Sequence, residues 1–106
     1  MARALVTMPA SAKRGEVVSI RTLIAHPMET GYRPGDNGAI LPRNIIRRFT
    51  CHYGDVLVFS AELHSAVSAN PYIEFDTVAT ESATLRFRWE GDHGFSHVES
   101  VALGVA

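Results

Sequence analysis

Cysteine and lysine are almost absent from this sequence. Cys51 is the single cysteine and Lys13 the single lysine among 106 residues. One cysteine excludes an internal disulfide, a CxxC redox pair and a zinc site built from several cysteines. Nine arginines therefore carry most of the positive charge, a choice that suits protein interfaces and that a GC-rich genome explains equally well. The net charge of −1 gives no indication of nucleic-acid binding.

Long apolar runs and helical periodicity are also missing. No uninterrupted apolar stretch approaches the roughly 18–20 residues needed to cross a bilayer. The first residues, MARALV, lack the longer apolar segment of a secretory signal, which by itself predicts a cytoplasmic location. No sustained apolar pattern at i, i+3, i+4 and i+7 is present, so helices are not expected. The length fits one domain covering residues 1–106.

Short runs of β-forming residues, separated by turn residues, make up most of the chain. In residues 16–25 one face carries Val18, Ile20, Thr22 and Ile24, and in residues 84–90 Leu85, Phe87 and Trp89 share a face. We predict an all-β fold, an immunoglobulin-like antiparallel β-sandwich of about seven strands. The predicted strands are residues 3–8, 16–25, 45–53, 56–63, 72–80, 84–90 and 95–103.

Residues 26–44 interrupt the β pattern. The stretch HPMETGYRPGDNGAILPRN contains three prolines and three glycines, and PGDNG is typical of a turn. Nineteen irregular residues are long for a connection in a small domain, which indicates a functional loop. Its large apolar groups either fold back on the domain or cover a partner. The neighbouring Arg43, Arg47 and Arg48 form either a solvated strand face or a surface that attracts a partner or an anion.

The residues that could carry catalysis have simple structural explanations. Cys51 is either a nucleophile activated by His52 or nearby arginines, or a small apolar residue of a strand core between Phe49 and Tyr53. Neighbours along a strand point to opposite faces, so His52 is poorly placed to activate the Cys51 sulfur. His93 and His97 flank one predicted hairpin turn and the other three histidines lie on separate segments, so the five lack the spacing of a metal site. We therefore predict no catalytic residue, no metal and no cofactor.

Four separated segments together resemble a known family. RTLIAHPMETGYR (21–33), LPRNIIRRFTC (41–51), SANPYIEFD (68–76) and LRFRWEGDHG (85–94) occur in order with the spacing found in the Z subunit of the Sox thiosulfate-oxidation system. The resemblance runs from about Val6 to the closing VALGVA, nearly the whole chain. The short N-terminus is its main departure from longer members.

The resemblance implies a non-enzymatic subunit in a heterodimer with a SoxY-like carrier, and it leaves open whether two heterodimers pair into a heterotetramer. The carrier's C-terminal Gly-Gly-Cys-Gly-Gly arm holds sulfur intermediates and presents them to SoxAX, SoxB and SoxCD-like enzymes. This chain lacks that motif, so the carrier role does not pass to Cys51. The resemblance also implies a periplasmic protein, exported together with a partner that bears the signal.

We further hypothesise which residues meet the partner proteins. Apolar contacts and polar anchors would come from the irregular loop and the strand after it. Two other interpretations stay open: a free-standing structural or adhesion sandwich, and a small thiol or metal enzyme that uses Cys51. The predicted partner-binding residues are Met28, Tyr32, Ile40, Leu41, Arg43, Ile46, Arg47 and Arg48.

Overall fold

The computed structural model describes residues 3–106, and these form an all-β structure. Its extents are 59 × 20 × 19 Å, so the molecule is elongated along one axis. Residues 3–106 contain no helix that is long and apolar enough to cross a lipid bilayer. The strands are β1 (Ala4–Thr7), β2 (Ser11–Ala12), β3 (Val17–Ile24), β4 (Ile46–Tyr53), β5 (Val56–Glu62), β6 (Tyr72–Val78), β7 (Ala83–Gly91) and β8 (Ser96–Val105).

Two sheets form the sandwich. The smaller has three strands in the order β1-β3-β6, and the larger has five in the order β2-β8-β7-β4-β5. A tight turn at Asp92–Gly94 joins β7 to β8, with His93 and Gly94 in the left-handed region. The predicted sandwich is confirmed, and each predicted strand lies within two residues of an observed one.

Alternation of apolar and polar residues determines which faces are buried. In β3 the side chains of Val18, Ile20, Thr22 and Ile24 are buried, and those between them are exposed. Leu85, Phe87 and Trp89 of β7 are fully buried against the same core. Phe49 of β4 lies at its centre, with ring centroids 5.1–6.4 Å from those of four other aromatic residues: Phe59, Phe75, Phe87 and Trp89.

The structure adds one strand to the predicted set. Ser11 and Ala12 form β2, which pairs in parallel with Gly104 and Val105 of β8. This short parallel pairing is an addition to the predicted antiparallel sandwich. Two residues are too few for a period-2 pattern to be visible in the sequence, which is why the segment looked like a polar connection.

Candidate partner interface

The irregular segment folds into a hairpin, named here the 29–44 hairpin. Glu29 and Asn44 exchange backbone hydrogen bonds of 2.8 and 2.9 Å at its base. Farther out, the Leu41 N–H donates to the Arg33 carbonyl at 2.8 Å, and the turn is closed by Gly35 and Gly38. These bonds join the two arms of the segment at its base and near its turn, so the segment has a defined hairpin geometry.

Gly31 explains how the two arms of the 29–44 hairpin approach one another. Its φ of 89° lies in the left-handed region, and a Cβ there would sit 2.9 Å from the Cβ of Arg43. Only glycine fits both conditions. Arg33 adds an ion pair along the same arm, with Nη2 2.6 Å from the Glu29 Oε1.

A buried histidine and methionine fix the root of the 29–44 hairpin. The Met28 N–H donates to the His26 Nδ1 at 2.9 Å, and the Ile46 N–H contacts the Met28 sulfur at 3.3 Å. The His26 ring meets Phe95 edge-on with 4.9 Å between centroids. This geometry requires an unprotonated Nδ1. Burial lowers the pKa of His26 below its ordinary 6.5, and the Asp92 charge raises it by a smaller amount.

We expect acidification to destabilise the chain through His26. Because the folded-state pKa is lowered, stability is complete above about pH 6.5 and falls as the pH drops below it, where the unfolded chain binds the proton first. Urea unfolding at several pH values between 7.5 and 5 measures the slope of the free energy of unfolding against pH. In His26→Asn the amide oxygen replaces the Nδ1 acceptor without titrating, so the slope should flatten. An unchanged slope in that variant would assign the effect to another group.

Asp92 organises the arginines next to the 29–44 hairpin. Its carboxylate accepts two hydrogen bonds from Arg43, at 2.8 and 2.9 Å, and one from the Ile45 N–H at 3.2 Å. Arg47 Nε lies 3.2 Å from the Asp92 Oδ1. The His93 Nε2 lies 2.9 Å from the Arg43 carbonyl oxygen. Two of the three clustered arginines are therefore held by one carboxylate.

Burial alone would raise the pKa of Asp92, but hydrogen bonds from Arg43 and Ile45 and the two arginine charges bring it below its ordinary 3.8. We expect Asp92→Asn to lower the free energy of unfolding by about 1–2 kcal/mol, because charged hydrogen bonds are lost at half-exposed arginines. This contribution should be present above pH 3.8 and disappear as the pH falls through the lowered pKa. Chemical unfolding at pH 7 and pH 3 measures both effects.

The matched control for Asp92 is the exposed ion pair of Arg21 and Glu74, in which both side chains are more than half exposed. Glu74→Gln should change the free energy of unfolding by less than about 0.5 kcal/mol. Equal effects of the two substitutions would show that Asp92 does not anchor the arginines.

A cleft of about 650 Å³ opens beside these arginines. Arg43, Arg47 and Arg48 line it together with Tyr32 and His64. Arg48 lies in register opposite Glu62 of β5 and Glu90 of β7, which also line the cleft. The cleft is therefore lined by three positive and two negative side chains. Asp92 pairs with Arg43 and Arg47 and adds a third negative charge, so the positive and negative charges nearly balance.

The predicted partner-binding residues divide into a surface group and a core group. Tyr32 and Ile40 are 80% and 58% exposed on the 29–44 hairpin. The three arginines are also exposed, while Leu41 is half-buried and packs beside Gly35. Met28 and Ile46, in contrast, are 4% and 0% exposed within the core. For these two residues the prediction is corrected, because a side chain enclosed by its own domain has no surface to offer.

Cys51 lies in the core of the larger sheet. Its side chain is 0% exposed, between Phe59 of β5 and Phe87 of β7 in the strand register. Burial raises the pKa of the Cys51 thiol to about 12. A thiol needs exposure and thiolate character to act as a nucleophile, so this cysteine is a packing residue. Among residues 3–106 no three His, Cys, Asp or Glu side chains are grouped to hold a metal ion.

Two features of the surface were missed by sequence reasoning. The first is Asp92, which lies in a turn. No sequence pattern near Asp92 predicts its contacts with Arg43 and Arg47, which precede it by 49 and 45 residues. The second is a row of exposed apolar side chains on the smaller sheet, formed by Leu5, Leu23 and Tyr72. In the sequence, this row was indicated only by Leu23, an apolar residue on the outward face of its predicted strand.

Comparisons with known proteins identify a family from the sequence and similar folds from the structure. The family model of the sulphur oxidation protein SoxZ matches residues 6–102. No curated protein matches the chain. The sulfur carrier protein SoxY from Chlorobium limicola f thiosulfatophilum is similar in structure, with a TM-score of 0.65, 12% identity, and coverage of 97% of this chain and 78% of SoxY. A superoxide reductase (neelaredoxin) from Ignicoccus hospitalis has a TM-score of 0.71 and 11% identity, with 97% and 80% covered.

Proposed function

Because the chain belongs to the SoxZ family of sulphur oxidation proteins, we propose that it is the non-catalytic scaffold subunit of a heterodimeric sulfur carrier. Its partner is a SoxY-like chain whose C-terminal Gly-Gly-Cys-Gly-Gly cysteine holds the sulfur intermediates during oxidation of thiosulfate to sulfate. The observation that carries this proposal is the family match, which spans residues 6–102 of the 106. The fold similarity to a SoxY carrier supports a partner of the same architecture.

The position of Cys51 supports the division of labour. A sulfur carrier needs a thiol that reaches the active sites of several enzymes in turn. The Cys51 side chain is fully buried in the middle of β4, and its raised pKa keeps the thiol protonated at neutral pH. The covalent chemistry therefore belongs to the partner, and this chain acts by presenting a folded surface.

The exposed part of the 29–44 hairpin is the surface that we propose for contacts with partner proteins. Tyr32 and Ile40 offer apolar area, and tyrosine is among the residues enriched at protein interfaces. The Asp92 network holds the Arg43 and Arg47 side chains in place, which lowers the entropy cost of using them in binding. Met28 and Ile46 hold the hairpin root from within the core.

The proposal includes a periplasmic location, reached by export with a partner that carries the signal. This step is tested by fractionating cells that express the chain with and without the SoxY-like subunit. The chain should reach the periplasm only in the presence of the partner. Equal amounts in the periplasm without the partner would contradict co-export.

Co-expression with a chain that ends in Gly-Gly-Cys-Gly-Gly tests the central association. The two chains should elute as one complex in size-exclusion chromatography with light scattering. Tyr32→Ala with Ile40→Ser should weaken complex formation or slow turnover by the Sox enzymes, while the melting temperature stays within about 2 °C. Val98→Ser is the control, because Val98 is also exposed but belongs to β8 and not to the 29–44 hairpin. Failure of the wild-type chains to associate would reject the function.

A further inference from the structure

The free edge of β6 is named here the β6 edge. β6 is the last strand of the smaller sheet, and among residues 3–106 it pairs only with β3. Proteins protect such edges with very short strands, bulges, lysine or proline. The other three edge strands are protected, because β1 has four residues, β2 has two, and β5 pairs with β4 through a bulge. β6 has seven regularly paired residues without lysine or proline, so its edge is open to another strand.

The backbone groups available on the β6 edge follow from the pairing with β3. In an antiparallel pair, alternate residues direct both their N–H and C=O groups to the partner strand. At one end of this pair the Ala79 N–H donates to the Glu16 carbonyl at 2.9 Å, and at the other the Ile24 N–H donates to the Pro71 carbonyl at 3.3 Å. Odd-numbered residues of β6 therefore bond to β3. The N–H and C=O groups of its even-numbered residues point away from β3 and have no backbone partner among residues 3–106.

A groove of about 510 Å³ lies between β5 and the β6 edge. Val56 and Val58 of β5 line it together with Thr77 and Val78 of β6. β5 is poorly covered on this side: Val56 is 64% exposed, and Val58 and Phe59 are only half-buried. The smaller sheet has two strands fewer than the larger, which explains the missing cover. A strand added at the β6 edge, about 4.8 Å from β6, would lie along the groove and cover its valines.

Carboxylates beside the groove define the charge of the strand that fits. Asp55 precedes Val56 in the turn before β5, Asp76 lies on β6, and Glu81 lines the groove. None of these three acids forms an ion pair within residues 3–106. Opposite charges at facing positions of neighbouring strands attract, and like charges repel. The added strand should therefore carry basic residues opposite Glu74 and Asp76, and apolar residues on the side of the groove.

The same acids disfavour a second copy of this chain at the β6 edge. If two β6 strands paired antiparallel about Phe75, Glu74 of each copy would face Asp76 of the other. A parallel pairing in register would bring each acid next to its own counterpart. Both arrangements place like charges at facing positions, which is destabilising. A segment in which basic and apolar residues alternate has the complementary pattern, because every second side chain of a strand lies on the same face.

We propose that the β6 edge docks an extended segment of a partner protein, in which basic residues alternate with apolar ones, and that this segment adds a fourth strand to the smaller sheet. Main-chain hydrogen bonds to the even-numbered residues of β6 provide affinity, as in other cases of strand addition. The apolar side chains cover the groove, and the basic ones select the segment. The site shares no residue with the 29–44 hairpin, and the inference goes beyond the proposed function.

The probe is a synthetic peptide, acetyl-KVKVKVK-amide, whose alternation fits the β6 edge in either direction. Its Kd for the full chain is measured by NMR titration. Asp76→Lys should raise the Kd roughly tenfold, because an attraction becomes a repulsion. Asp36→Lys makes the same change of charge at an exposed position of the 29–44 hairpin and should alter the Kd less than about twofold. Melting temperatures show that both variants are folded. If Asp76→Lys is unstable, Asp76→Asn takes its place, with an expected rise of about threefold.

Two further measurements distinguish strand addition from attraction by charge alone. The same peptide with N-methylated lysine amides keeps its charges but loses the N–H groups that face β6, so it should not bind measurably. Amide hydrogen exchange should show an alternating pattern. The peptide should protect the amides of Glu74, Asp76 and Val78, whereas those of Phe75 and Thr77, which already bond to β3, should change little.

Three results would overturn the proposal. The first is absence of binding by the unmethylated peptide. The second is an equal Kd for the methylated and unmethylated peptides, or an unchanged Kd in the Asp76 variant, because either would show that no strand is added at this edge. The third is self-association of the wild-type chain that protects the even-numbered amides of β6 without peptide, which would assign the edge to a second copy. None of these results depends on binding of a carrier, so the proposed function is tested separately.

Discussion

Phe49→Ala is expected to lower the free energy of unfolding by about 3–5 kcal/mol. Phe49 is fully buried in β4, and four aromatic rings lie with centroids 5.1–6.4 Å from its own. Its truncation removes apolar burial and leaves a cavity between both sheets, the combination that makes Phe-to-Ala changes costly. Because a domain of this size is stable by only about 5–15 kcal/mol, the variant should melt roughly 10–25 °C lower.

Urea unfolding of the isolated chain measures this effect, and Val98→Ala provides the control. Val98 is about half exposed on β8, so its truncation should change the free energy of unfolding by less than about 0.5 kcal/mol. If Phe49→Ala were as mild as Val98→Ala, the two sheets would not share a core around Phe49, and the sandwich would be wrong.

Gly91→Ala should be nearly as damaging, for a different reason. A Cβ at this position would lie 2.5 Å from the Ile45 carbonyl oxygen and 2.9 Å from the Ile46 Cα. Both atoms belong to backbone, so a side-chain rotation cannot relieve the overlap and the strands must separate. We expect a loss of about 3 kcal/mol or more, at the upper end of the cost of overpacking.

Gly91 also stands next to the turn that holds Asp92, so a displaced β7 should disturb the arginine network. The Asp92 N–H donates to the Ile45 carbonyl at 2.9 Å across the same junction. Thermal unfolding measures the stability loss, with Gly104→Ala as the control because its added Cβ would meet only the Ala10 oxygen at 3.7 Å. Equal melting temperatures for the two alanine variants would contradict the close approach of β4 and β7.

The alternation of apolar and polar residues along the chain was sufficient to predict most of the strands and their buried faces. The rows Val18–Ile20–Ile24 and Leu85–Phe87–Trp89 are visible as period-2 patterns, and each is buried as expected. The burial of Cys51 could be predicted in the same way, because it lies between Phe49 and Tyr53 on one strand face. These features depend on neighbours in sequence, which is why local patterns find them.

The candidate site was harder to predict because it depends on residues distant in sequence. Met28 and Ile46 are both apolar and near the loop, but only the fold shows that they pack inward and leave Tyr32 and Ile40 outside. The link from Asp92 to Arg43 spans 49 residues. Exposed apolar rows likewise depend on strand register, which the sequence of one strand does not contain.

The location of the sulfur adduct during turnover tests the central claim most directly. The purified heterodimer is incubated with thiosulfate and the loading enzyme, and both chains are examined by intact-mass and peptide mass spectrometry. We predict that the added mass lies only on the partner's C-terminal cysteine and that Cys51 remains an unmodified thiol. A persulfide or thiosulfonate on Cys51 of the folded complex would contradict the claim that this chain acts by presenting a surface.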